Sequence, residues 1–367
     1  MTKAAELAKM GEILTNSQIG GRRNIVINGA MQVAQRGTSA TGLGGDGNTY
    51  NTCDRWHLSC ANTAGRFTMS QVADVHDGFA NALKFDCTTA DTSIAAGEFV
   101  ILTQKFEGQD VQQFKKGSSD AESITVSFYV KGNASATYAL ELFDNDNSRQ
   151  ASQLFSVTTD WTRVIKTFTP DTTGAFDDDN ANSLELNIWL HAGSNLTSGT
   201  LSSTFASNTN ANRAAGISSF FDSTDRTFFI TGVQMEVGSQ ATPFEHRSFG
   251  EELTLCQRYF TKTFQQGTTP AAGHDKFIYH HLEDYHSGYS HLSYSYPVEM
   301  RTIPTVVMYT TADSSNGTGK VSYYDGAWKN TDAPVANSSS SLFANVQVNG
   351  TTSIVLVEYN LTADAEL

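Results

Sequence analysis

The chain has 367 residues, of which 39% are hydrophobic and 17% charged, and its formal net charge is −14. This length predicts roughly two or three domains, and the hydrophobic content excludes a wholly disordered chain. The acidic balance disfavours contact with nucleic-acid phosphates, and no apolar run approaches the roughly 20 residues of a membrane span. We therefore expect a folded protein with no nucleic-acid partner and no membrane insertion.

Residues 1–23 are predicted to form a helical anchor. Leu7, Met10 and Leu14 fall at heptad positions a, d and a, and Ile13 adds to the apolar stripe. A helix of about 13 residues is marginal by itself, and no amphipathic partner follows closely in the sequence. The stripe is therefore predicted to dock on another subunit or another protein. The alternative is a frayed or locally packed N-terminus.

Residues 36–50 are rich in glycine but lack the GxxxxGK spacing of phosphate-binding loops, and a strand pattern rather than a helix follows them, so they are predicted to form a flexible surface loop. The four cysteines, Cys53, Cys60, Cys87 and Cys256, form no Cys-x-x-Cys pair. We expect buried, reduced thiols, which fits assembly in a reducing cytoplasm. A bridge between Cys53 and Cys60 stays open at this point.

Apolar and polar residues alternate with period two through 24–247, most clearly at 124–131, 138–143 and 184–191. Such alternation predicts strands with one face in a core. Many short strands separated by Gly, Asn, Asp and Ser turns predict a jelly-roll β-sandwich in this region. A parallel α/β fold is disfavoured because helical patterns do not alternate with the strands.

A capping box follows, with Ser248 at the N-cap and Glu251 three residues later. Apolar residues then recur at helical spacing, which predicts a linking helix of about twelve residues within 248–264. The β pattern resumes in 265–367, which predicts a second, smaller β-sandwich. The predicted fold class is therefore mainly β: a helical anchor, a jelly roll, a linking helix and a second sandwich.

Three strand segments resemble the jelly-roll carbohydrate-binding modules found on glycoside hydrolases. They are Ile124–Gly132 (ITVSFYVKG), Val157–Val164 (VTTDWTRV) and Phe228–Gly238 (FFITGVQMEVG). The second is similar to a strand start that carries a tryptophan, and the third is similar to the closing strand of those modules. The resemblance implies a jelly-roll fold that binds glycans.

Two other stretches resemble structural proteins of tailed bacteriophages, especially marine ones: Asn24–Gly37 (NIVINGAMQVAQRG) and Ala241–Phe260 (ATPFEHRSFGEELTLCQRYF), with Tyr296–Thr305 (YPVEMRTIPT) as a further match. This resemblance implies a virion protein assembled in the host cytoplasm, such as a tail fibre or another appendage. Such proteins are often trimers and bind host-surface glycans. The N-terminal segment is expected to attach to other virion proteins. Because the chain lacks a long fibrous stem, a capsid decoration or head-fibre role stays open.

In 184–191, the residues that alternate with the apolar ones share one face of the predicted strand. They combine an aromatic ring with planar polar groups, the mixture that sugar binding requires. These residues are Glu185, Asn187, Trp189 and His191, and Tyr129 and Glu141 are predicted to share the corresponding face of other strands. Trp189 is the first candidate for stacking on a sugar. The alternatives are that this face lies under a loop or in a subunit interface.

A second cluster, 274–291, holds five histidines among acidic residues and tyrosines. The receptor-contact or interface residues predicted there are His280, His281, Tyr285, His286 and Tyr289. Adjacent His280 and His281 point to opposite faces of a strand, so one chain is not expected to bind a metal ion with both. One histidine repeated about a trimer axis, and an ordinary solvated hairpin, are the alternatives.

Two acidic turns, 144–148 and 177–180, are rich in the oxygen ligands that Ca²⁺ prefers. The candidate ligands are Asp144, Asp146, Asp177 and Asp178, and jelly-roll modules of the kind this chain resembles often hold a structural calcium. Neither turn matches an EF-hand. The alternative is that these residues are present because Asp and Asn tolerate turn geometry.

Catalysis is not predicted, and no cofactor is required by the sequence. A glycan depolymerase needs two carboxylates about 5–9.5 Å apart across a sugar, and no acidic pair is singled out here. The chain has no GxSxG, HExxH or Cys–His signature. A glycan-degrading enzyme is thus the third alternative, after a receptor-binding fibre and a capsid decoration protein.

Overall fold

The structure, a computed structural model, describes Lys3 and residues 23–275, 278–281, 288–311, 317–324, 326–331, 335–337, 340–350 and 356–367. The chain divides into two compact units. The first comprises Met1–Gln32, Ser39–Tyr50 and Trp56–Arg247. The second comprises Val33–Thr38, Asn51–Arg55 and Ser248–Leu367. The predicted linking helix therefore belongs to the second unit, which also contains two short segments from the first fifty-five residues.

Two antiparallel sheets, here called sheets I and II, form the first unit. Strands are numbered in chain order. The spatial order of sheet I is β1 (Ser39–Leu43), β4 (Arg66–Val72), β5 (Ala82–Thr89), β13 (Thr227–Val237), β7 (Ile124–Gly132) and β10 (Thr162–Phe168). The spatial order of sheet II is β12 (Ala206–Ser207), β9 (Arg149–Val157), β8 (Ala136–Asp144), β11 (Asn182–Ala192), β6 (Phe99–Glu107), β3 (His57–Ala61) and β2 (Gly47–Tyr50).

The inner faces of sheets I and II meet in a core rich in aromatic rings. Phe128 of β7 lies 5.1 Å from Phe155 of β9, and Tyr138 of β8 lies 5.5 Å from Phe228 of β13, measured between ring centroids. The predicted alternation is confirmed, since the apolar residues of β7, β8 and β11 are buried in this layer. The first unit is therefore a β-sandwich, and the chain is mainly β as predicted.

Helices are few and short. Helix α1 (Ser194–Thr197) follows β11, and helix α2 (Phe249–Gln257) begins the last segment of the second unit. Three-residue 3-10 turns lie at Gly108–Asp110, Gln112–Phe114 and Asn210–Asn212. The side chain of Ser248 accepts a hydrogen bond from the Glu251 backbone, which confirms the predicted N-cap. Within the described part of the chain, no helix is long and apolar enough to cross a membrane.

The second unit also contains two antiparallel sheets, III and IV. The main path of sheet III is β14 (Phe260–Lys262), β22 (Leu356–Asp364), β18 (Ser322–Tyr324) and β19 (Trp328–Asn330), and β15 (Ile278–His281) and β17 (Thr305–Tyr309) also pair with β22. Sheet IV consists of β16 (Gly288–Ser295), β21 (Phe343–Gly350) and β20 (Val335–Asn337). One apolar core takes residues from both sheets, including Leu292, Val346 and Tyr359.

The glycine-rich stretch 36–50 is not a simple surface loop. It contains β1, which pairs with β4, and β2, which pairs with β3. Gly44 and Gly45 lie in the connection between the two strands and have positive φ angles, which glycine adopts without steric cost. The four cysteines are buried thiols, as predicted, and Cys53 and Cys60 form no disulfide bridge with each other.

Candidate functional site

A row of polar side chains crosses the outer face of sheet II. Asn187 of β11 lies directly opposite Thr103 of β6 on one side and Glu141 of β8 on the other. Thr103 in turn lies opposite His57 of β3. Side chains in such register are direct neighbours. The Thr103 hydroxyl accordingly donates to Asn187 Oδ1 at 2.6 Å, and Asn187 Nδ2 donates to Glu141 Oε2 at 3.1 Å.

Glu141 is fully buried and is the best-supported member of this row. Arg213 donates to both of its oxygens, with Nε and Nη2 each at 2.8 Å, and the indole Nε1 of Trp189 donates at 2.9 Å. With the bond from Asn187, the carboxylate accepts four hydrogen bonds. Burial alone would lower the pKa of Arg213, but the charge and hydrogen bonds of Glu141 raise that pKa above its ordinary value.

Three residues of this row, His57, Thr103 and Asn187, line a groove of about 460 Å³ on the outer face of sheet II. Its lining combines polar side chains with two apolar ones. The lining residues are Asn48, His57, Ser59, Phe99, Ile101, Thr103, Lys105, Glu185, Asn187 and Arg213. Amide, hydroxyl and imidazole groups that flank a half-buried phenyl ring are suited to bind a ligand with many hydroxyl groups and an apolar face.

His57 lies in the groove as a neutral imidazole at neutral pH. Burial, and secondarily the charge of Lys105, lower the pKa of His57 to about 4. The ring centroids of Tyr50 and His57 lie 4.8 Å apart. A neutral imidazole has one donor and one acceptor nitrogen, so His57 is able to pair with a hydroxyl group in either direction.

Trp189 does not offer a ring face for stacking, contrary to its predicted role. It is 1% exposed and belongs to an apolar cluster with Leu196 of α1 and Ala214. The guanidinium carbon of Arg213 lies 4.9 Å from the centroid of the indole ring. The segment after β11 covers this end of sheet II, so Trp189 is enclosed next to the groove. Phe99, whose ring lies 6.2 Å from that of Trp189, is the half-buried aromatic residue in the groove lining.

The other residues of the β11 face divide between the groove and its surroundings. Glu185 lines the groove and accepts hydrogen bonds from Asn182 at 2.7 Å and Asn187 at 3.3 Å. His191 is fully buried outside the groove lining. Its Nδ1 lies 2.8 Å from Ser219 Oγ, and its Nε2 lies 3.3 Å from Glu98 Oε2.

Tyr129 is not part of the groove, because β7 belongs to sheet I rather than sheet II. Its ring lies on the outer face of sheet I, 4.2 Å from the ring of His76 and 5.5 Å from that of Phe79. The sequence predicts correctly that Tyr129 points away from the core. It does not tell which of the two sheets carries β7, and this explains the error.

Several predicted residues lie outside the described residues: the anchor positions Leu7, Met10, Ile13 and Leu14, and Tyr285 and His286 of the second cluster. The backbones of His281 and Tyr289 lie in β15 and β16. His280 is half-buried, and its Nε2 lies 3.4 Å from the Tyr359 hydroxyl. Burial lowers the pKa of His280 below its ordinary value.

The acidic turns do not fit a calcium site. The carboxylate of Asp144 is fully buried and is occupied by hydrogen bonds from Lys116 and Asn147. Asp146 accepts a bond from the backbone of Asp177 at 3.0 Å, and Asp177 and Asp178 are exposed. Among the residues that the structure describes, no group of three or more His, Cys, Asp or Glu side chains is placed to hold a metal ion.

Of the ten lining residues, sequence reasoning identified Glu185 and Asn187 and missed eight: His57, Ser59, Thr103, Lys105, Arg213, Asn48, Phe99 and Ile101. Alternation in 57–61 and 99–107 places the first four on the outer face of a strand. That signal does not tell which strands are neighbours of β11. Arg213 follows a 3-10 turn in a segment without periodicity, so no local sequence pattern predicts that its side chain lines the groove.

No protein-family model matches the sequence, and no curated protein matches it. Among solved structures, the chain is similar to a family 61 carbohydrate-binding module in complex with beta-1,4-galactotriose, with 11% identity and a TM-score of 0.31 over 59% of this chain and 99% of that chain. It is similar to the CBM22-1 xylan-binding domain from Paenibacillus barcinonensis Xyn10C, with 12% identity and a TM-score of 0.29 over 60% of this chain and 100% of that chain.

A third similar structure is the enzymatically active domain of tailspike protein 4 from bacteriophage CBA120. The identity is 12% and the TM-score 0.29, over 58% of this chain and 21% of that chain.

Proposed function

We propose that this protein binds a glycan, without cleaving it, in the groove on the outer face of sheet II. The observation that carries the proposal is the hydrogen-bonded row of Thr103, Asn187 and Glu141 beside Phe99 and His57. The row fixes the side chains of the groove floor before a ligand arrives, which lowers the entropic cost of binding. Phe99 supplies the apolar contact, and the neutral His57 and the amides supply hydrogen bonds to hydroxyl groups.

The non-catalytic part of the proposal is supported by the state of the acidic residues. A glycosidase of the common kind needs two carboxyl groups that reach the bound sugar. Glu185 is the one acidic residue among the lining residues of the groove, and Glu141 is fully buried with four donors on its oxygens. His191 links the Ser219 hydroxyl to the Glu98 carboxylate, an arrangement like that of a serine nucleophile, a histidine base and an acidic residue in a catalytic triad. The ring of His191 is, however, fully buried and lies outside the groove lining.

A glycan array with the purified full chain tests the binding proposal. We expect Phe99→Ala and Lys105→Ala to weaken binding to the best glycans by about 10-fold or more, because each removes a groove contact. Lys84→Ala is the matched control for lysine, since Lys84 lies on β5 of sheet I and pairs with Asp86. The unfolding temperature of each variant is measured in parallel.

Equal binding by wild type and both groove variants contradicts the groove as the site, and so does an array without any signal. The best glycans are also incubated with the protein and assayed for new reducing ends. We expect none, and their release over time would establish a depolymerase instead.

We further propose a virion setting, in which the N-terminal segment attaches to other virion proteins and the chain acts as a homotrimeric tail fibre or related appendage. The support is the resemblance of 24–37 and 241–260 to tailed-phage structural proteins and the apolar stripe of 1–23. Deletion of residues 1–20 is expected to leave a folded protein that no longer enters particles. Incorporation of the truncated chain at the normal level contradicts the anchor. A capsid decoration role is the alternative that an empty glycan array would favour.

A further inference from the structure

A lysine ammonium group lies in the turn region where the sequence suggested calcium. Lys116 Nζ donates to the carboxylate of Asp144, and its distance to Asp171 Oδ2 is 3.1 Å. It also donates to the backbone carbonyls of Thr173 and Gly174, both at 2.8 Å. The Lys116 side chain is 2% exposed. Four oxygens from two separate turns therefore surround one buried cation.

The charges around this ammonium balance. Arg149 forms the second positive group, with Nε at 2.8 Å and Nη2 at 3.0 Å from the two carboxylate oxygens of Asp171. One lysine and one arginine thus face the carboxylates of Asp144 and Asp171. Burial alone would raise the pKa of Asp171, but the bonds from Arg149 and Lys116 lower that pKa below its ordinary value. The ring centroids of Phe176 and Phe205 lie 5.3 and 5.5 Å from the ammonium nitrogen.

The surrounding backbone is shaped to hold this arrangement. Asn147 Nδ2 donates to Asp144 and to the carbonyl of Ala175 at 2.8 Å, which joins the two turns. Gly174 has a φ angle of 73°, and a Cβ at that position would lie 2.4 Å from the side chain of Asn147. The chain beside Lys116 is also tied to this region, because the Gly117 amide donates to the carbonyl of Asp171 at 2.9 Å.

We infer that the Lys116 ammonium is a covalently attached structural cation. It takes the place of a metal ion by joining the oxygens of the two turns, so that the fold of the first unit needs no Ca²⁺. Calcium takes six to eight oxygens at about 2.3–2.6 Å. The oxygens around Lys116 number four, and those of Asp171, Thr173 and Gly174 lie at 2.8–3.1 Å, which is the spacing of charge-assisted N–H···O bonds. A tethered cation is not removed by a chelator, so the unit is expected to stay folded in media of low calcium content.

Thermal unfolding of the full chain tests this inference directly. The unfolding temperature of the wild type is expected to be the same, within about 1 °C, in excess EDTA and in millimolar CaCl₂. A clear rise in CaCl₂ over EDTA overturns the inference, because it would show a calcium ion holding the native state.

Variants test the role of the ammonium itself. Lys116→Met keeps the length of the side chain but leaves Asp144 buried without its cation, and we expect the unfolding temperature to fall by about 10 °C. Lys115→Met is the matched control, since Lys115 is 54% exposed in an ion pair with Glu122, and we expect a change below about 2 °C. An unchanged unfolding temperature for Lys116→Met overturns the inference.

A double variant separates the charge effect from a packing defect. Asp144→Asn in the Lys116→Met background removes the uncompensated carboxylate, so it is expected to recover at least half of the lost unfolding temperature. A double variant that is less stable than Lys116→Met contradicts the charge argument. If Lys116→Met does not fold by itself, the double variant and the wild-type calcium comparison still decide the question.

Discussion

Glu141 and His57 lie three strands apart in one row of side chains, and burial has different consequences for them. Glu141 has four hydrogen-bond donors around it, including the guanidinium group of Arg213. His57 has the cation of Lys105 near it instead, so both burial and charge act against its protonation. The same sheet thus supplies a firmly held carboxylate next to the groove and a neutral imidazole in its lining.

The neutral state of His57 predicts a loss of stability in acid. Its pKa falls from 6.5 in the unfolded chain to about 4 in the folded protein, so the unfolded state binds the extra proton. Stability from this group is therefore complete above pH 6.5 and is lost as the pH falls toward 4. The loss amounts to about 3 kcal/mol at pH 4.

Denaturant unfolding of wild type and His57→Gln at several pH values measures this contribution. We expect the free energy of unfolding of the variant to fall by about 3 kcal/mol less than that of wild type between pH 7 and pH 4. Parallel curves for the two proteins would show that His57 gains no extra protons on unfolding.

Strand β11 illustrates what an element contributes to the site. Its inward residues, Leu184, Leu186 and Ile188, are fully buried between sheets I and II, as the alternation predicts. Its outward residues are also mostly buried, because α1 and the segment after it cover one end of the strand. Alternation separates the two faces of a strand, but it does not reveal whether the outward face is open. Along this outward face, Asn187 and Glu185 line the groove, whereas Trp189 and His191 are enclosed.

Helix α2 shows a similar division. Ser248 and Glu251 mark its beginning correctly, because a cap is a local hydrogen bond between residues close in sequence. The helix ends at Gln257, before the predicted twelve residues are complete. Phe260, which fits the helical spacing, instead begins β14 and pairs with Asp364 of β22. A distant strand therefore determines the end of the helix.

The second unit is built from three separate parts of the chain, and buried charges join them. Arg55 is 1% exposed, pairs with Glu366, and lies over the ring of Tyr259 at 3.4 Å. Arg36 pairs with Asp364 at 3.0 Å and lies over the ring of Phe260 at 3.7 Å. The penultimate residue of the chain is thus neutralised by residues from its first sixth.

Residues 248–367 are accordingly not expected to fold as a stable fragment. The fragment lacks Arg55, which pairs with the buried carboxylate of Glu366. Loss of one partner of a buried ion pair lowers the free energy of unfolding by about 3–5 kcal/mol. Circular dichroism is expected to show a lower unfolding temperature and a broader transition for the fragment than for the full chain. Glu366→Gln in the fragment is the matched control and is expected to recover part of the difference. A fragment with a sharp transition at the temperature of the full chain contradicts the argument.

The amino-acid sequence alone determined the mainly β character, the faces of β7, β8 and β11, the cap at Ser248 and the outward position of Asn187 and Glu185. These features depend on local periodicity and on hydrogen bonds between near neighbours, both of which are written in consecutive residues. Tertiary structure decided that Tyr129 and Glu141 lie on different sheets, that Arg213 and α1 enclose Trp189, and that Lys116 pairs with Asp144, one of the four predicted calcium ligands. Those outcomes depend on which distant strands become neighbours. The strand order is determined by burial of the core as a whole and not by residues close in sequence.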